Sequence, residues 1–123
     1  MPSPFKEAID RGDIESGVSL LAPDVVFHSP VLRKPFHGVE RVGPLLAVLW
    51  NTWEGFRYTK TIGSSESKTE ALLFEAQMLD QSAQGVTLLT WQDGRIEDFT
   101  VMVRPFRAAR AILQALDLDP ERA

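Results

Sequence analysis

The amino-acid sequence predicts an α+β fold in which helices precede an antiparallel sheet. In the first half, two stretches carry apolar residues at helical spacing, one on each side of a short β-branched run. From residue 56 to residue 104, short apolar runs alternate with turn residues, a pattern typical of consecutive antiparallel strands. The chain has 123 residues, of which 44% are hydrophobic and 24% charged, so we expect a single domain that spans residues 1–123.

Two short helices and a strand are predicted at the start of the chain. The helical spacing of residues 5–21 is broken once, at Gly12 and Asp13. Gly12 can end the first helix in a left-handed conformation, and the Asp13 side chain can cap the free amide groups of the next helix. The pair Pro23-Asp24 is expected to end the second helix, and the β-branched and aromatic residues 25–29 then favour a short strand.

A third helix is predicted after a loop over residues 32–38. Gly38 opens this helix, and a broad apolar stripe continues from Val39 to Trp53. Pro44 lies inside the stripe, so the helix either kinks there or begins its regular part at Pro44. In both alternatives the helix is buried on more than one side.

Four strands are predicted to follow and to form an antiparallel meander. Asp93 and Gly94 give a strong hairpin-turn signal between the last two strands. Several strands are apolar at adjacent positions, which indicates that both faces of the sheet are covered. The helices can cover only one face, so we expect a second copy of the chain to cover the outer face in a homodimer. The predicted strands are residues 56–62, 70–79, 85–91 and 96–104.

A short C-terminal helix is predicted to start at Pro105, whose fixed backbone angle suits the first turn of a helix. Arg107 and Arg110 are expected on the solvent side of this helix. Its apolar face is predicted to comprise Phe106, Ala109, Leu113 and Leu116.

Charge and composition disfavour several classes of function. The 13 Lys and Arg residues stand against 17 Asp and Glu residues, and the net charge of -4 has the wrong sign for attraction to nucleic acid or an anionic membrane surface. The chain has no cysteine and no Gly-rich phosphate loop, and its 2 histidines lack metal-ligand spacing, so we expect no metal and no cofactor. No apolar stretch is long enough to cross a membrane, and we expect a cytoplasmic location.

Several short motifs allow a comparison with known families. They are Gly12-Asp13-Ile14-Glu15, the segment from Leu20 to Phe27, the segment from Pro35 to Glu40, Gly94-Arg95-Ile96, and the segment from Val101 to Pro105. Together they resemble the SnoaL-like proteins of the nuclear transport factor 2-like superfamily. The resemblance implies a cone-shaped, cystatin-like α+β fold, in which a curved mixed or antiparallel sheet wraps around the N-terminal helices. It also implies a homodimer and an apolar pocket inside the cone.

The same superfamily includes the ketosteroid isomerases, whose catalytic acids this sequence lacks. The resemblance places the Asp base of those enzymes at Ser29 and their Tyr donor at Phe5. Their second donor, a neutral Asp, falls among residues 86–88, where the sequence has no acid. Without a base and an oxyanion hole the isomerisation loses its main sources of rate, so ketosteroid isomerase activity is disfavoured.

Three residues are candidates for acid–base catalysis. His37 lies in the loop over the expected pocket mouth, where a histidine is also a common loop-bracing residue. Glu75 lies on a strand face that points either into the cavity, where a carboxyl group can act as an acid or base, or to the surface. Asp98 has the same two alternatives, on a face that it is expected to share with Ile96 and Thr100.

The function we expect is the binding of a small hydrophobic organic molecule in the pocket of the cone. One alternative is a cofactor-independent acid–base enzyme, of the cyclase, dehydratase, isomerase or epoxide hydrolase type, that acts on a polyketide- or terpenoid-like substrate. The other alternative is a dimeric interaction module without a ligand. The pocket lining is expected to be aromatic with few polar groups. Its predicted members are Phe5, Phe27, Ser29, Trp50, Trp53, Tyr58, Trp91 and Phe99.

Overall fold

Four helices and a six-stranded sheet make up the part of the chain that the structure, a computed structural model, describes: residues 3–78 and 80–117. Leu79, the last residue of one predicted strand, lies outside the described residues. The helices are α1 (Pro4–Asp10), α2 (Ile14–Ser19), α3 (Val39–Thr52) and α4 (Phe106–Ala115). The strands are β1 (Leu21–His28), β2 (Phe36–His37), β3 (Trp53–Gly63), β4 (Thr69–Met78), β5 (Gln81–Gln92) and β6 (Arg95–Arg104).

The strands of the sheet are arranged in the order β2-β1-β6-β5-β4-β3. Strands β3 to β6 pair antiparallel in sequence order, which confirms the predicted meander. Strand β1 lies parallel to β6, and the short β2 pairs antiparallel with β1 at the edge of the sheet. The predicted α+β class, with a mixed sheet and a short C-terminal helix, is confirmed.

The core lies between the helices and one face of the sheet, which we call the inner face. Its centre is aromatic. The ring centroids of Phe5 in α1 and Phe99 in β6 are 5.3 Å apart, and those of Phe27 in β1 and Phe99 are 5.8 Å apart. All three side chains are almost completely buried. Because the burial of large rings contributes strongly to folding, these contacts hold the N-terminal helix on the inner face.

Strand β1 begins at Leu21, so the prediction that Pro23-Asp24 ends the second helix is wrong. Helix α2 ends at Ser19, before that pair. Strand β1 pairs with β6 at Leu21 and again from Val26, with a shift of register between the two. Pro23 lies in the shifted segment, where its missing N–H costs no ladder hydrogen bond, and the strand can therefore pass through a proline.

Helix α3 is continuous from Val39 to Thr52 and contains Pro44. The alternative in which the regular helix begins at Pro44 is therefore wrong. The helix also ends one residue before Trp53, which has an extended backbone and starts β3. The Trp53 N–H still donates to the Leu49 carbonyl, so this residue closes the helix and opens the strand without a loop.

Helix α4 packs on the rest of the fold through a face that includes Ala109 and Leu116, as predicted, but not Phe106. Phe106 was expected on the apolar face, but its side chain is 77% exposed. The packed face consists mostly of alanines, whose small side chains allow a helix to approach its neighbours closely, and Phe106 lies off that face. Arg107 and Arg110 are exposed, as predicted. The buried residues of this region are Ala108, Ala109, Ala111, Ile112 and Leu116.

Candidate functional site

One carboxyl group is buried on the inner face of the sheet, that of Glu70. Glu70 is the second residue of β4, and strand alternation places its side chain on the same face as Leu72 and Phe74. The Glu70 side chain is 1% exposed. A buried carboxyl group lowers the stability of the fold unless it is hydrogen-bonded, so its hydrogen-bond partners determine both its stability and its chemistry.

Two side chains from distant segments bind the same oxygen of Glu70. The Ser3 hydroxyl donates to Oε1 at 3.0 Å, and the Trp91 indole N–H donates to Oε1 at 3.2 Å. The Ser3 oxygen also accepts from the Lys6 backbone N–H at 3.2 Å and so caps α1. The other oxygen of Glu70, Oε2, is buried and has no hydrogen-bond partner among the described residues.

Two hydrogen-bond donors in the same interior also have no partner within the described parts of the chain. They are the Trp50 indole N–H and the Tyr58 hydroxyl. The Phe56 ring packs against both side chains, with its centroid 5.7 Å from that of Trp50 and 4.9 Å from that of Tyr58. We call Trp50, Tyr58 and Glu70 the inner polar cluster.

The Tyr58 hydroxyl remains protonated and so remains a donor. Burial raises the pKa of Tyr58 far above its ordinary value of 10.0, and the neighbouring Thr87 hydroxyl opposes this rise to a smaller extent. Electrostatic repulsion from the carboxyl groups of Asp10 and Glu70 raises it slightly further.

The inner polar cluster combines two donors, the Trp50 N–H and the Tyr58 O–H, with one carboxyl oxygen in an aromatic surrounding. A buried polar atom that lacks a partner costs about 1–3 kcal/mol. Native proteins rarely keep such atoms unless a water or a ligand satisfies them.

Most of the predicted pocket residues lie in this interior. Phe5, Phe27, Trp53, Trp91 and Phe99 are buried, and Trp50 and Tyr58 are half-buried. Ser29 serves a different local purpose directly after β1. Its hydroxyl oxygen accepts from the Leu32 backbone N–H at 2.9 Å and so stabilises the turn that leaves the strand.

The three catalytic candidates do not meet in the interior. His37 is an exposed residue of the edge strand β2. Glu75 lies on the outer face of β4, where its carboxylate accepts from Arg57 at 2.9 Å. Asp98 lies on the outer face of β6 and contacts His28, with 3.1 Å between Oδ2 and Nε2.

The expectation that Asp98 shares a face with Ile96 is wrong because β6 contains a β-bulge. Trp91 of β5 pairs with Ile96, whereas Thr90 pairs with Asp98, which leaves Glu97 as an extra residue. The extra residue reverses the alternation, so the Ile96 side chain is buried on the inner face and Asp98 points outward. Asp98 still shares its face with Thr100, whose hydroxyl donates to Oδ1 at 3.1 Å.

The outer face of the sheet has an apolar centre between polar margins. A groove of about 340 Å³ runs over Leu73, Val86 and Met102, and Met102 is 53% exposed. A larger groove of about 740 Å³ adjoins it and includes Arg57 and Arg104. Both grooves are open depressions on the face that points away from the aromatic core.

Sequence reasoning missed Glu70, although a signal for it exists. Strand alternation separates the buried apolar residues of β4 from Glu75, as predicted. Continuing the same alternation from Phe74 through Leu72 places Glu70 on the buried face. Its partners Ser3 and Trp91 could not be found in this way, because they come from segments far away in the sequence.

None of the helices in the described ranges is long and apolar enough to span a membrane. Within the same ranges no group of three or more His, Asp or Glu side chains is arranged to hold a metal ion.

Two solved structures with more than 30% identity to the chain have the same fold. A protein from Pseudomonas aeruginosa described as a steroid delta-isomerase is 32% identical, with 90% of this chain and 82% of that chain covered and a TM-score of 0.83. An uncharacterized protein with a cystatin-like fold from Silicibacter pomeroyi is 31% identical, with 93% and 80% covered and a TM-score of 0.84. The predicted cystatin-like fold is thereby confirmed.

A third solved structure, less similar in sequence, also has a cystatin-like fold, and a family model matches the chain. A protein of unknown function with a cystatin-like fold from Xanthomonas campestris is 25% identical, with 89% and 92% covered and a TM-score of 0.70. No curated protein matches the sequence. The model of the SnoaL-like domain matches residues 5–99, which is most of the chain. The chain therefore belongs to the SnoaL-like domain family, as the sequence motifs predicted.

Proposed function

We propose that the protein binds a small, mostly apolar organic molecule inside the cone, against the aromatic residues and the inner polar cluster. The observation that carries this proposal is the set of three buried polar atoms without partners among the described residues: Trp50 Nε1, Tyr58 Oη and Glu70 Oε2. A fold that needed this interior only for packing would have no reason to keep them, because each lowers stability.

The surroundings of these atoms support an apolar ligand. Trp50 lies edge-on to Phe5 and to Phe99, with centroid distances of 5.9 Å and 6.2 Å. Aromatic walls with a few polar atoms are typical of small-molecule sites, in which the walls supply affinity and the polar atoms fix orientation. The similarity to a protein described as a steroid delta-isomerase suggests fused-ring compounds as the first class to test.

Mass spectrometry and thermal unfolding test this proposal together. The freshly purified protein is weighed under native and then denaturing conditions, and its melting temperature is measured with and without androstenedione and naphthalene. We expect either a released molecule of defined mass or a rise in melting temperature with one of the probes. A protein that carries no small molecule and responds to neither probe would contradict the proposal.

We also propose that two copies of the chain associate through the outer face of the sheet. The support is the apolar centre of this face, which includes Leu73, Val86 and the half-exposed Met102. Covering such a surface removes apolar area from water, and self-association is the simplest way to cover it.

Sedimentation of two charge variants tests the homodimer. Met102→Lys places a charge in the apolar centre and is expected to convert dimers to monomers. Val48→Lys is the matched control, since Val48 is 44% exposed on α3, away from the sheet face. A wild-type chain that is monomeric at all concentrations, or a Met102→Lys chain that remains dimeric, would contradict this mode of association.

The alternative of an acid–base enzyme requires His37, Glu75 or Asp98 to lie in the cavity. These residues lie on an edge strand and on the outer face of the sheet. We therefore favour binding, with the inner polar cluster as the group that recognises the ligand.

A further inference from the structure

The outer face of β6 carries opposite charges at its two ends. Asp98 lies near the start of the strand, and Arg104 is its last residue. Strand alternation places both side chains on the outer face, whereas Phe99 and Val101 between them are buried on the inner face. The two charged residues are separated by about 20 Å, the length that six residues span in an extended strand.

The positive charge of Arg104 is not balanced within its own row of side chains. Arg57, Glu75, Gln84 and Arg104 lie side by side across four strands, and we call them the arginine row. Arg57 forms an ion pair with Glu75 at 2.9 Å. Arg104 donates from Nε to the uncharged amide of Gln84 at 3.1 Å, and it forms no ion pair with a residue of the described ranges. The row therefore has an excess of one positive charge.

The negative charge of Asp98 lies in a second row, on the other side of the apolar centre. Asp98 pairs with Thr90 of β5, which pairs with Thr69 of β4, and we call these three residues the aspartate row. Its carboxylate accepts from the Thr100 hydroxyl and contacts the His28 ring, both at 3.1 Å. The Asp98 side chain is still 38% exposed, so it can contact a second molecule.

Two copies that pack face to face can be related by a twofold axis that lies between their sheets. If this axis runs along the strands, the arginine row of one copy faces the arginine row of the other, and like charges meet. If the axis crosses the strands, each strand runs opposite to its own copy, and the arginine row faces the aspartate row. Opposite charges favour association and like charges oppose it, so the charge pattern favours the second orientation.

We propose that the twofold axis of the homodimer crosses the strands opposite Val101, so that Arg104 of each copy binds Asp98 of the partner subunit. This inference rests on the proposed association through the outer face and adds the orientation of the partner. Val101 is the midpoint between the two charged residues, and it pairs with Thr87, the midpoint of the same rows on β5. Because the axis repeats each contact, the ion pair forms twice.

The same axis brings the apolar centres of the two copies together. The rows that flank the axis lie between the arginine row and the aspartate row. They contain Met102, Val86 and Leu73 on one side, and Thr100, Leu88 and Ala71 on the other. The resulting interface has an apolar core with one ion pair at each end, and a polar rim around an apolar core is typical of protein interfaces.

Two charge-reversed chains test the orientation, by sedimentation of each alone and by native mass spectrometry of their mixture. Arg104→Glu and Asp98→Lys each place like charges opposite one another at both ends of the interface. We expect each variant alone to dimerise about tenfold more weakly than the wild type, or weaker still, at low salt. A heterodimer of the two variants regains both ion pairs, so we expect it to exceed its statistical share of the mixture by about tenfold.

Arg110→Glu is the matched control for the charge change. Arg110 is exposed on α4, whose buried residues pack into the core on the inner side of the sheet. This variant is expected to dimerise as tightly as the wild type. A loss equal to that of Arg104→Glu would mean that the overall charge of the chain, and not the proposed ion pair, controls association.

Crosslinking gives a second measurement that does not depend on the charged residues. The chain has no cysteine, so Gln84→Cys and Thr90→Cys each introduce a single reactive thiol. Packed sheets lie about 10 Å apart, which a short bismaleimide can span. With the axis opposite Thr87, Gln84 of one copy faces Thr90 of the partner subunit, so we expect crosslinks mainly between the two different variants. Crosslinks mainly between two Gln84→Cys chains would indicate an axis along the strands.

The outcomes separate this inference from the association on which it rests. If the wild type is monomeric at all concentrations, or Met102→Lys remains dimeric, the proposed association fails and the inference fails with it. If Met102→Lys is monomeric but Arg104→Glu dimerises as tightly as the wild type, or more tightly, the outer face is the interface and the proposed orientation is wrong. A mixture of the two charge variants in statistical proportions would also overturn the orientation.

Discussion

The two faces of the sheet differ in whether their polar side chains have hydrogen-bond partners. On the outer face, where water is available, polar groups still find partners in the protein, as Asp98 does with His28 and Thr100 and as Glu75 does with Arg57. On the inner face, where burial makes a missing partner expensive, Glu70 has an oxygen that no described residue satisfies.

This contrast shows that unpaired polar groups lower the stability of the fold in its interior rather than at its surface. Exposed ion pairs contribute little, typically under about 1 kcal/mol, so the pairs on the outer face are inexpensive to form or to lose. The unpaired atoms of the inner polar cluster cost more than these pairs contribute. Proteins keep such costs mainly at functional or strained sites, so the cost agrees with the proposed binding of a ligand in the interior.

The largest expected difference between the faces concerns packing. Phe99→Ala removes a buried ring from the aromatic centre and is expected to lower the free energy of unfolding by about 3–5 kcal/mol. Met102→Ala, on the same strand but on the outer face, is expected to change it by less than about 0.5 kcal/mol in the monomer. Urea unfolding at low protein concentration measures both values. Similar losses for the two variants would show that the faces are not distinct.

A smaller loss is expected when the support of Glu70 is weakened. Ser3→Ala removes the cap of α1 and one of the two donors to Oε1, and is expected to cost about 1–2 kcal/mol. Ser19→Ala is the matched control, because the Ser19 hydroxyl donates to the Ser16 carbonyl at an exposed helix end. Chemical unfolding measures the loss in free energy of unfolding for each variant. Equal losses would mean that the buried hydrogen bond between Ser3 and Glu70 does not stabilise the fold.

Removal of an unpaired interior group is expected to be harmless or favourable. Tyr58→Phe deletes a hydroxyl that no described residue satisfies, so we expect stability to stay unchanged or to rise by up to about 1 kcal/mol. The measurement is the melting temperature without any ligand. A clear loss of stability would indicate that the hydroxyl already has a partner, such as the Thr87 side chain.

The same residue provides a test by alkaline pH, because Tyr58 is the only tyrosine of the chain. Its pKa is raised in the folded protein, so the folded state keeps the proton that the unfolded chain releases above the ordinary value of 10.0. Stability therefore falls as the pH rises past this value, and phenolate absorbance is expected to appear only as the protein unfolds. Phenolate absorbance in the folded protein near pH 10 would contradict the burial of this hydroxyl.

The smallest effect is expected at an exposed cap. Hydrogen bonds from the Ser16 side chain and backbone lower the pKa of Asp13 below its ordinary value of 3.8. Asp13 therefore stabilises the fold above that value, and this contribution is lost as the pH falls through its lowered pKa. The melting temperatures of the wild type and Asp13→Asn are expected to differ slightly at neutral pH and to converge in acid. A constant difference across the acid range would show that the charge of Asp13 plays no part.

The sequence predicted the features that repeat along the chain and missed those that depend on one residue. The meander followed from regular apolar runs and from Asp93 and Gly94, both of which adopt the positive φ angles that the turn requires. The bulge at Glu97 could not be recognised in the sequence, since a single extra residue does not alter the composition of a strand. The inner polar cluster depends on which distant segments meet in the interior, and local pattern does not contain that information.

The hydrogen bond between Ser3 and Glu70 joins residues that are 67 positions apart. Strand β1 likewise finds its parallel partner β6 only after the whole meander lies between them. Contacts across long stretches of chain close slowly, whereas the consecutive hairpins of β3 to β6 need only short loops. We therefore expect folding to begin in the C-terminal half, with the first helix docking last. The buried carboxyl would then be sealed from water only in the final step of folding.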